Sequence, residues 1–339
     1  MIALFLVIVR RVLLMAPVLL GLLVLTFLLV RIVPADPAAS LAGENATVEQ
    51  IEKIRKQYGF DRPLYEQFLI YLRQVVRGDL GTSFYTMRPV ARDMLRRLPA
   101  TLELAFVSLF LATAIGIPLG VLAAVHHNRL LDHLLRVMSV GGLAVPVFWF
   151  ALMLQLLFSM TLGILPLRGR LGMFVHPPPN ITGSYLVDAL LTGKFHTFAD
   201  AALHITLPAI TLAAGAIASI VRFTRGGVLE TLQKDFVTYE TAAGYPRSIL
   251  IGVYVLRNSL VATITQIGLL FGGVIAGSVV IEAIFDWPGI GTYVVRSIFI
   301  SDYKATLAAT LLVGVIYGIV NMTVDLIHGL IDPRVAEQM

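Results

Sequence analysis

The 339-residue chain contains no cysteine and is poor in charged residues. The absence of cysteine excludes disulfide bonds, thiolate metal sites and cysteine nucleophiles. Charged residues make up 14% of the chain, against about 25% in ordinary soluble domains. Hydrophobic residues reach 57%, and the mean hydropathy is +0.84. A soluble core could not hide that much apolar surface, so the composition predicts a membrane protein.

Signatures of nucleotide hydrolysis and of metalloprotease chemistry are also missing. A phosphate-cradling loop needs the pattern G-x-x-x-x-G-K-[ST], but Gly193-Lys194 is followed by Phe195 and lacks the upstream glycine. No histidine stands in an H-E-x-x-H pattern, and His126-His127 beside Arg129 is typical of a solvated loop rather than a metal site. We therefore expect a non-catalytic chain that itself binds no cofactor and no metal.

Six apolar segments are long enough, or nearly so, to cross a hydrocarbon layer, which takes about 20 residues of helix. They are Val12–Val30, Leu104–Val125, Val137–Leu167, Ile205–Val221, Asn258–Ile281 and Ala305–Val324. The third is an uncharged run of 31 residues, and the fourth is short. The first has 19 uncharged residues, more than the core of about 7 to 15 in a cleaved signal peptide, so it should remain as a helix. The pattern predicts an all-α membrane protein with six transmembrane helices.

The distribution of lysine and arginine predicts the orientation, because positive charge is retained on the cytoplasmic side. With the N-terminus inside, ten basic residues lie in the inner flanks and five in the short outer flanks. The eleven basic residues between Arg31 and Pro99 lie in a segment too long to count strongly. We therefore predict that both termini are cytoplasmic. The net charge of +5 is then a topology signal, and no nucleic-acid partner is expected.

A mixed-composition insert separates the first two predicted crossings and should carry short helices. Thr47 and Gln50 have the spacing of a capping box for a helix over Val48–Tyr58, which Gly59 would end. A second helix should begin at Pro63, where a missing N–H costs nothing. Its predicted apolar face consists of Leu64, Phe68, Leu72 and Val75. The insert could cover the outer mouth of the bundle or take a direct part in receiving substrate.

A polar segment, Lys234 to Asn258, lies between the fourth and fifth predicted crossings. Thr231–Ala243 can form a short helix that Gly244 ends, and Pro246 is suited to the first turn of the next helix. The side chains of Phe236, Tyr239 and Ala243 are spaced three and four apart, which predicts an aromatic-tipped ridge facing water. Such a ridge is typical of a docking site, although a helix lying along lipid headgroups has the same pattern.

Polar residues inside the predicted crossings need an explanation, because they are costly in hydrocarbon. Near the ends of crossings stand Glu103, Glu282 and Asp325, which we expect to be structural. The fifth crossing carries Asn258, Thr265 and Gln266 together with several glycines, and it is the best candidate for lining a substrate path. Close packing of helices would explain the glycines equally well.

Several short motifs occur in a fixed order along the chain. They are Gly59-Phe60-Asp61-Arg62-Pro63-Leu64, Gly78-Asp79-Leu80-Gly81-Thr82-Ser83, Leu98-Pro99-Ala100-Thr101-Leu102-Glu103-Leu104, Asp235-Phe236-Val237, Leu256-Arg257-Asn258, Asp286-Trp287-Pro288-Gly289-Ile290-Gly291, and Asn321 with Val324-Asp325-Leu326 and Asp332-Pro333-Arg334. From about residue 8 to residue 335 the chain thereby resembles permease subunits of bacterial ABC importers of the dipeptide/oligopeptide class.

The resemblance implies a type I ABC importer permease fold in the bacterial cytoplasmic (inner) membrane. It divides the chain into the N-terminus with the first helix (1–30), a helical extracytoplasmic insert (31–99) and a five-helix core (100–339). The coupling loop, 224–257, is similar to the EAA loop of that family, whose coupling helix sits in a groove of a separate ATPase. In this chain the residues implied to contact the ATPase groove are Asp235, Phe236, Tyr239, Glu240, Ala243 and Gly244. The family usually has Arg-Thr-Ala-Arg-Ala-Lys-Gly-Leu where this chain has residues 238–245, so this loop is markedly less positive.

The resemblance also implies partners. These are a second permease subunit, two cytoplasmic ATPase subunits that hold ATP and Mg²⁺, an extracytoplasmic substrate-binding protein and membrane lipid. The expected cargo is a di- or oligopeptide, with nickel chelates, glutathione or oligosaccharides as alternatives. Two other classes stay open, an ion-coupled secondary transporter and a non-transporting membrane scaffold. A secondary transporter would usually show pseudo-repeated halves and broken helices.

Overall fold

The computed structural model describes the backbone of residues 2–32, 37–42, 46–57 and 59–331, and the side chains of these except 2–12, 30–32, 37, 40–41, 261–262, 265 and 325–331. The described structure is about 78% helical and holds only one isolated β-bridge, Thr82 with Pro89. The prediction of an all-α protein is therefore confirmed. The predicted Asp332-Pro333-Arg334 motif and Tyr58 lie outside the described residues, as does the side chain of Asp325.

The helices of the described part follow one another with short connections. They are α1 (Ile2–Ile32), α2 (Pro37–Ala42), α3 (Val48–Gln57), α4 (Leu64–Val76), α5 (Val90–Val125), α6 (Leu130–Ala144), α7 (Val147–Leu154), α8 (Tyr185–Leu191), α9 (Phe195–Leu232), α10 (Asp235–Ala242), α11 (Arg247–Ile249), α12 (Leu256–Ile284), α13 (Ile290–Phe299) and α14 (Tyr303–Ile331). Two π-helical segments, Gln155–Thr161 and Leu250–Val255, continue α7 and α11.

Four of these helices are long and apolar enough to cross a membrane over Val90–Val125, Phe195–Leu232, Gln266–Ile284 and Tyr303–Val324. A fifth span results if α6 and the segment Val147–Thr161 count as one. The helix α1 is apolar as well, and its described side chains cover Leu13–Leu29. Several apolar spans are thus confirmed, whereas the described residues do not confirm the predicted count of six.

The third predicted crossing, Val137–Leu167, is wrong as a single helix. The chain breaks after Ala144, and the two flanking helices are bent by 102°. Val145 adopts an extended backbone, with φ −76° and ψ 124°, because the ring of Pro146 disfavours a helical conformation in the preceding residue. The fourth predicted crossing is too short, since Ile205–Val221 is only the middle of the 38-residue helix α9.

The chain forms two compact units, and the first consists of Met1–Thr101 with Pro288–Gly318. In it the predicted capping box is confirmed, because Gln50 Oε1 accepts from Thr47 N at 3.0 Å and Thr47 Oγ1 accepts from Gln50 N at 3.4 Å. Three members of the predicted face of α4 pack on a core of Leu23, Phe27, Tyr71 and Leu307. These members are Phe68, Leu72 and Val75. Leu64 was wrongly included, since half of its side chain is exposed at the start of the helix.

A buried carboxylate ties the Gly78–Ser83 turn of the same unit to the start of α14. The Oδ2 atom of Asp302 accepts hydrogen bonds from Ser83 Oγ at 2.6 Å and from Phe84 N at 2.8 Å. Its Oδ1 atom accepts from Ala305 N at 3.2 Å, which satisfies a backbone donor in the first turn of α14. One acidic side chain thereby orders the loop before α5 and caps a membrane helix.

The second unit consists of Leu102–Trp287 with Ile319–Met339, and α9 lies in its middle, against α6, α7, α8 and α12. Small residues let α5 approach α9 closely, since a Cβ atom at Gly116 would lie 2.7 Å from Ile220 Cγ2. Glu103 is buried and accepts from Arg170 Nη2, from Ser184 Oγ at 2.7 Å and from Leu186 N at 2.8 Å. These contacts agree with the structural role predicted for Glu103.

Candidate functional site

The polar segment between α9 and α12, residues 233–255, forms a bent structure that we call the elbow. The predicted first helix of the elbow began at Thr231, but Thr231 still belongs to α9, where its hydroxyl donates to Gly227 O at 2.7 Å. The break comes at Lys234, whose ψ of 146° is extended rather than helical. The first helix of the elbow is therefore α10, Asp235–Ala242.

The end of α10 is a Schellman motif, as the glycine in the sequence indicated. Gly244 has φ +86°, a backbone conformation that residues with a Cβ atom rarely adopt. Tyr245 N donates to Glu240 O at 3.2 Å, and Gly244 N donates to Thr241 O at 3.1 Å. Both bonds satisfy carbonyl groups that a helix end leaves without partners. The predicted stop at Gly244 is confirmed.

The second arm of the elbow begins at Pro246 and leads into α12. Pro246 precedes α11, and the chain continues without interruption through the π-helical segment Leu250–Val255. The rings of Tyr245 and Tyr254 meet edge to face, with centroids 5.6 Å apart and planes at 71°. The aromatic pair therefore links the end of α10 to the helix that follows the bend.

One face of α10 packs on an apolar cluster that reaches both neighbouring helices. The buried members of this cluster are Ala124, Val228, Val237, Leu250 and Val255. Phe236 is half-buried against the same cluster, so it does not project from the elbow as predicted. Tyr239 is 75% exposed and Ala243 is exposed, which agrees with the ridge for these two positions.

The remaining predicted docking residues lie on α10 or just after it. Asp235 is exposed in the first turn of α10, where a negative charge stabilises the helix N-terminus. Glu240 is half-buried, and Gly244 is exposed. The structure thus groups the predicted docking residues on one short element, with Phe236 turned toward its support.

An ion pair links α9, the helix that precedes the elbow, to the first turn of α6. Arg225 of α9 donates from Nε to Asp132 Oδ1 at 2.6 Å and from Nη2 to Asp132 Oδ2 at 2.9 Å. Asn128 N donates to Asp132 Oδ2 at 3.0 Å, and His127 Nδ1 lies 3.2 Å from Arg225 Nη2. The Asp132 side chain has no exposed surface, and that of Arg225 is 18% exposed. The network joins the α5–α6 connection to the end of α9 that leads into the elbow.

Sequence reasoning missed this pair, because the sequence alone identifies Arg225 only as a basic residue of a flank. One signal was present, since Asp132 is the only acidic residue between Glu103 and Asp188. A single acid in so apolar a stretch needs a partner. The identity of that partner could not be read from the sequence, because the two residues are 93 positions apart.

The predicted substrate-path residues Asn258, Thr265 and Gln266 all belong to α12. The amide Nδ2 of Asn258 donates to Tyr254 O at 2.7 Å, within its own helix. Gln266 is half-buried, and the side chain of Thr265 lies outside the described set. A cavity of about 360 Å³ does border α7, α9 and α12, but its lining is mainly apolar and includes neither Asn258 nor Gln266.

The glycines of α12 stand in two different surroundings, a close helix contact and the apolar cavity. A Cβ atom at Gly268 would lie 2.2 Å from Val324 Cγ2, so this position is required for close packing of α12 and α14. A Cβ atom at Gly273 would meet no heavy atom within 4 Å, and Gly273 lines the apolar cavity together with Gly277. Among the residues that the structure describes, no group of three or more metal-ligating side chains is found.

Known proteins resemble the chain along nearly its whole length. Residues 116–337 match the family described as binding-protein-dependent transport system inner membrane component, and residues 4–105 match its N-terminal membrane component. The probable D,D-dipeptide transport system permease of Escherichia coli K12 is 44% identical over 93% of both chains. The di/tripeptide transport system permease of Pseudomonas aeruginosa is 38% identical over 97% of this chain and 98% of the relative.

Two further comparisons concern the cargo and the fold. The glutathione transport system permease of Pectobacterium atrosepticum is 34% identical over 96% of this chain and 97% of the relative. A solved structure of the methionine ABC transporter MetNI, in an inward-facing form, aligns with a TM-score of 0.54 at 16% identity. The alignment covers 72% of this chain and 98% of the other. At that identity the likeness concerns the fold alone.

Proposed function

Because the chain belongs to the family of binding-protein-dependent transport system inner membrane components, we propose that it carries short peptides inward as one of two paired permease subunits. The chain is a non-catalytic, multi-pass permease of the inner membrane, and it works with an ATPase and with a substrate-binding protein. In the complete importer we place two permeases, two ATPase subunits that bind ATP and Mg²⁺, and one binding protein. Both termini and the elbow then face the cytoplasm.

The elbow is the element through which we propose that the ATPase acts on the membrane helices. The supporting observation is the construction of α10, with one face on the cluster around Val237 and the other exposed at Tyr239. A force on the exposed face is passed to Val228 of α9 and to Val255 before α12, because both belong to that cluster. An interfacial helix along lipid headgroups would not need so firm a connection to two long helices.

The energy for the conformational change comes from differential binding of ATP to the two states. ATP favours the closed ATPase pair, and a conformational equilibrium shifts only by as much as a ligand discriminates between its two states. Movement of the two elbows with the ATPases then exchanges the open side of the permease pair. The chain supplies the lever, and the nucleotide is hydrolysed on another subunit.

The proposed cargo is a di- or tripeptide. Two relatives of high identity are named for dipeptide or di/tripeptide transport, and a third is named for glutathione, which is itself a tripeptide. This makes one chemical class, a short chain with a free carboxylate, the common element of the relatives. Nickel chelates and oligosaccharides remain the alternative cargoes for the test below.

Uptake into proteoliposomes that contain the complete transporter tests the proposal. We expect accumulation of labelled dialanine that requires the binding protein and ATP on the side of the ATPases, and that an imposed proton gradient cannot replace. Uptake driven by the gradient without any ATPase would indicate a secondary transporter. Uptake of a nickel chelate or an oligosaccharide in preference to dialanine would contradict the peptide assignment.

A further inference from the structure

A cavity of about 280 Å³ lies in the first unit, between the helices of the insert and the first turns of α14. Its size is close to the lower end of small-molecule pockets, which run from about 300 to 1,000 Å³. Aromatic and aliphatic side chains form part of the wall, and the rest is polar. None of the residues that form its lining in the described part of the chain is acidic.

Three cations contribute to this lining, and they come from separate places in the chain. Lys56 stands in the last turn of α3, Arg62 lies between α3 and α4, and Lys304 begins α14. Within the described residues none of the three forms an ion pair. Basic side chains are common on surfaces, but three around one concave space without an acid produce a positive local field.

Two polar atoms on α4 have no hydrogen-bond partner among the described residues, although both are buried. They are the hydroxyl of Tyr71, a residue only 7% exposed, and Oε1 of Gln67. Both residues line the cavity. A tyrosine phenol is protonated at neutral pH, and burial raises the pKa of Tyr71 further, so the hydroxyl can donate. Buried polar atoms are normally satisfied, and such exceptions call for a specific explanation.

Hydrogen bonds from the amide nitrogen hold the Gln67 side chain in one orientation. Nε2 of Gln67 donates to Arg62 O at 2.7 Å and to Phe60 O at 3.3 Å. The amide nitrogen is therefore occupied by the backbone, and Oε1 is left as a fixed acceptor. The cavity thus has three cations and aromatic surface in its lining, and two of its lining residues carry an unpaired hydroxyl and an unpaired amide oxygen that are buried in the wall.

We propose that this cavity binds the C-terminal end of a short peptide. Lys56, Arg62 and Lys304 supply the charge that attracts the carboxylate, and the Tyr71 hydroxyl donates a hydrogen bond to it. Gln67 Oε1 accepts from the last amide N–H of the peptide. The proposal rests on the proposed function for the nature of the cargo, and it assigns to the insert a direct part in receiving substrate.

An acidic side chain of the docked binding protein could offer the same carboxylate chemistry. A concave space of this volume favours the small molecule, because it holds one or two residues and not a folded surface. The positions of Tyr71 and Gln67 favour it as well, since both atoms are buried rather than at the rim. The two sources are separated by testing the permease complex without its binding protein.

The test is equilibrium binding of dialanine and of dialanine amide to the complete permease–ATPase complex in nanodiscs, with no binding protein present. We expect dialanine to bind and the amide to bind at least tenfold more weakly, since it lacks the charge. Tyr71→Phe and Arg62→Gln should each weaken dialanine binding about tenfold, the range of a hydrogen bond to a charged group. Tyr71→Phe keeps the ring in its apolar cluster, so folding is preserved.

The matched controls lie on α3 and α4, the helices that carry Lys56 and Tyr71. Lys53→Gln on α3 and Arg73→Gln on α4 remove exposed basic residues that do not line the cavity, and they should leave binding unchanged. Equal binding of peptide and amide, unchanged affinity in Tyr71→Phe and Arg62→Gln, or no binding of dialanine by the wild-type complex would each overturn the proposal. The proposal would also be overturned if Tyr71→Phe and Arg62→Gln weakened only the docking of the binding protein.

Uptake keeps this proposal separate from the proposed function. Wild-type uptake of dialanine with unchanged affinity in the cavity variants would overturn the cavity site and leave the peptide importer standing. Absence of dialanine uptake by the wild-type complete transporter would overturn the proposed function instead.

Discussion

Arg225 donates to both carboxylate oxygens of Asp132, from Nε at 2.6 Å and from Nη2 at 2.9 Å. The two-point geometry fixes the planar guanidinium and the carboxylate relative to each other, which a single contact would not do. Arg225 stands seven positions before the end of α9, and Asp132 lies in the first turn of α6. The pair therefore fixes α9, the helix that leads into the elbow, against the start of α6.

Removing the acid of this pair should be strongly destabilising. Asp132→Ala leaves the guanidinium without its partner, and breaking a buried ion pair costs about 3–5 kcal/mol. Because Arg225 keeps 18% of its surface exposed, we expect about 2–3 kcal/mol of lost unfolding free energy. Denaturation of the purified permease in detergent measures the loss.

The control is Glu230→Ala, which breaks an exposed pair with Lys234 at 3.8 Å and should cost under about 0.5 kcal/mol. Equal costs would contradict the role of Asp132.

Gly244→Val should uncouple ATP hydrolysis from uptake while leaving membrane insertion intact. A β-branched residue at φ +86° is strained by about 1–2 kcal/mol, so the Schellman end of α10 would rearrange. Gly252→Ala is the control, because Gly252 has an ordinary φ and open space around its Cβ position. The ratio of ATP hydrolysed to peptide accumulated is the measurement. A normal ratio in Gly244→Val would count against the elbow as a lever.

The two faces of α10 should respond differently to truncation. Val237→Ala removes two methyl groups from the buried cluster and should lower the unfolding free energy by about 1–2 kcal/mol. Tyr239→Ala removes a side chain that is 75% exposed, so stability should be unchanged while the affinity for the ATPase falls at least tenfold. Thermal unfolding of the permease and titration with ATPase subunits separate the two effects. A stability loss in Tyr239→Ala without weaker assembly would reverse the assignment of the faces.

Gly268→Ala tests whether the glycines of α12 serve packing. The new Cβ atom would meet Val324 Cγ2 at 2.2 Å, which forces α12 and α14 apart. We expect a loss of about 1–3 kcal/mol that Val324→Ala restores in the double variant. Gly273→Ala has open space and should be neutral. Thermal unfolding of the four variants checks the cycle, and equal effects at both glycines would exclude specific packing at Gly268.

Asp188 should make stability depend on pH at the acidic end. Burial acts to raise its pKa, but hydrogen bonds from Thr182, Gly183 and Ile181 outweigh burial and lower the pKa. A lowered pKa stabilises the fold above the ordinary value of about 3.9, and this stabilisation is lost as pH falls through the lowered value. Asp188→Asn should therefore be less stable than wild type at pH 7, with the difference shrinking below about pH 4. A difference independent of pH would contradict this role of Asp188.

Local signals made much of the fold predictable. The capping box at Thr47, the stop at Gly244 and the restart at Pro246 each depend on residues a few positions apart, and the structure confirms them. A signal of the same kind, Pro146, stood within the third predicted crossing and was not used in the prediction. Proline alone could not locate the break, because Pro17 and Pro208 lie inside the continuous helices α1 and α9.

Contacts between distant parts of the chain could not be predicted. Periodicity showed that Phe236, Tyr239 and Ala243 share a face, but not that Phe236 would find a partly buried place beside Val237. In the same way nothing local paired Asp132 with Arg225, or collected Lys56, Arg62 and Lys304 around one cavity. Composition and spacing describe the elements, whereas these sites arise from how the elements pack.

A cross-linking measurement tests the central claim that the exposed face of α10 touches the ATPase. Because the chain has no cysteine, Tyr239→Cys introduces a single thiol, which a short thiol–amine reagent can join to a neighbouring protein. Phe299→Cys, at the 84% exposed end of α13, provides the matched control. We predict that Tyr239→Cys cross-links to the ATPase subunit in the assembled transporter and that Phe299→Cys does not. Labelling of Tyr239→Cys from the outer side of intact cells, or the lack of any protein cross-link in the assembled complex, would contradict the account.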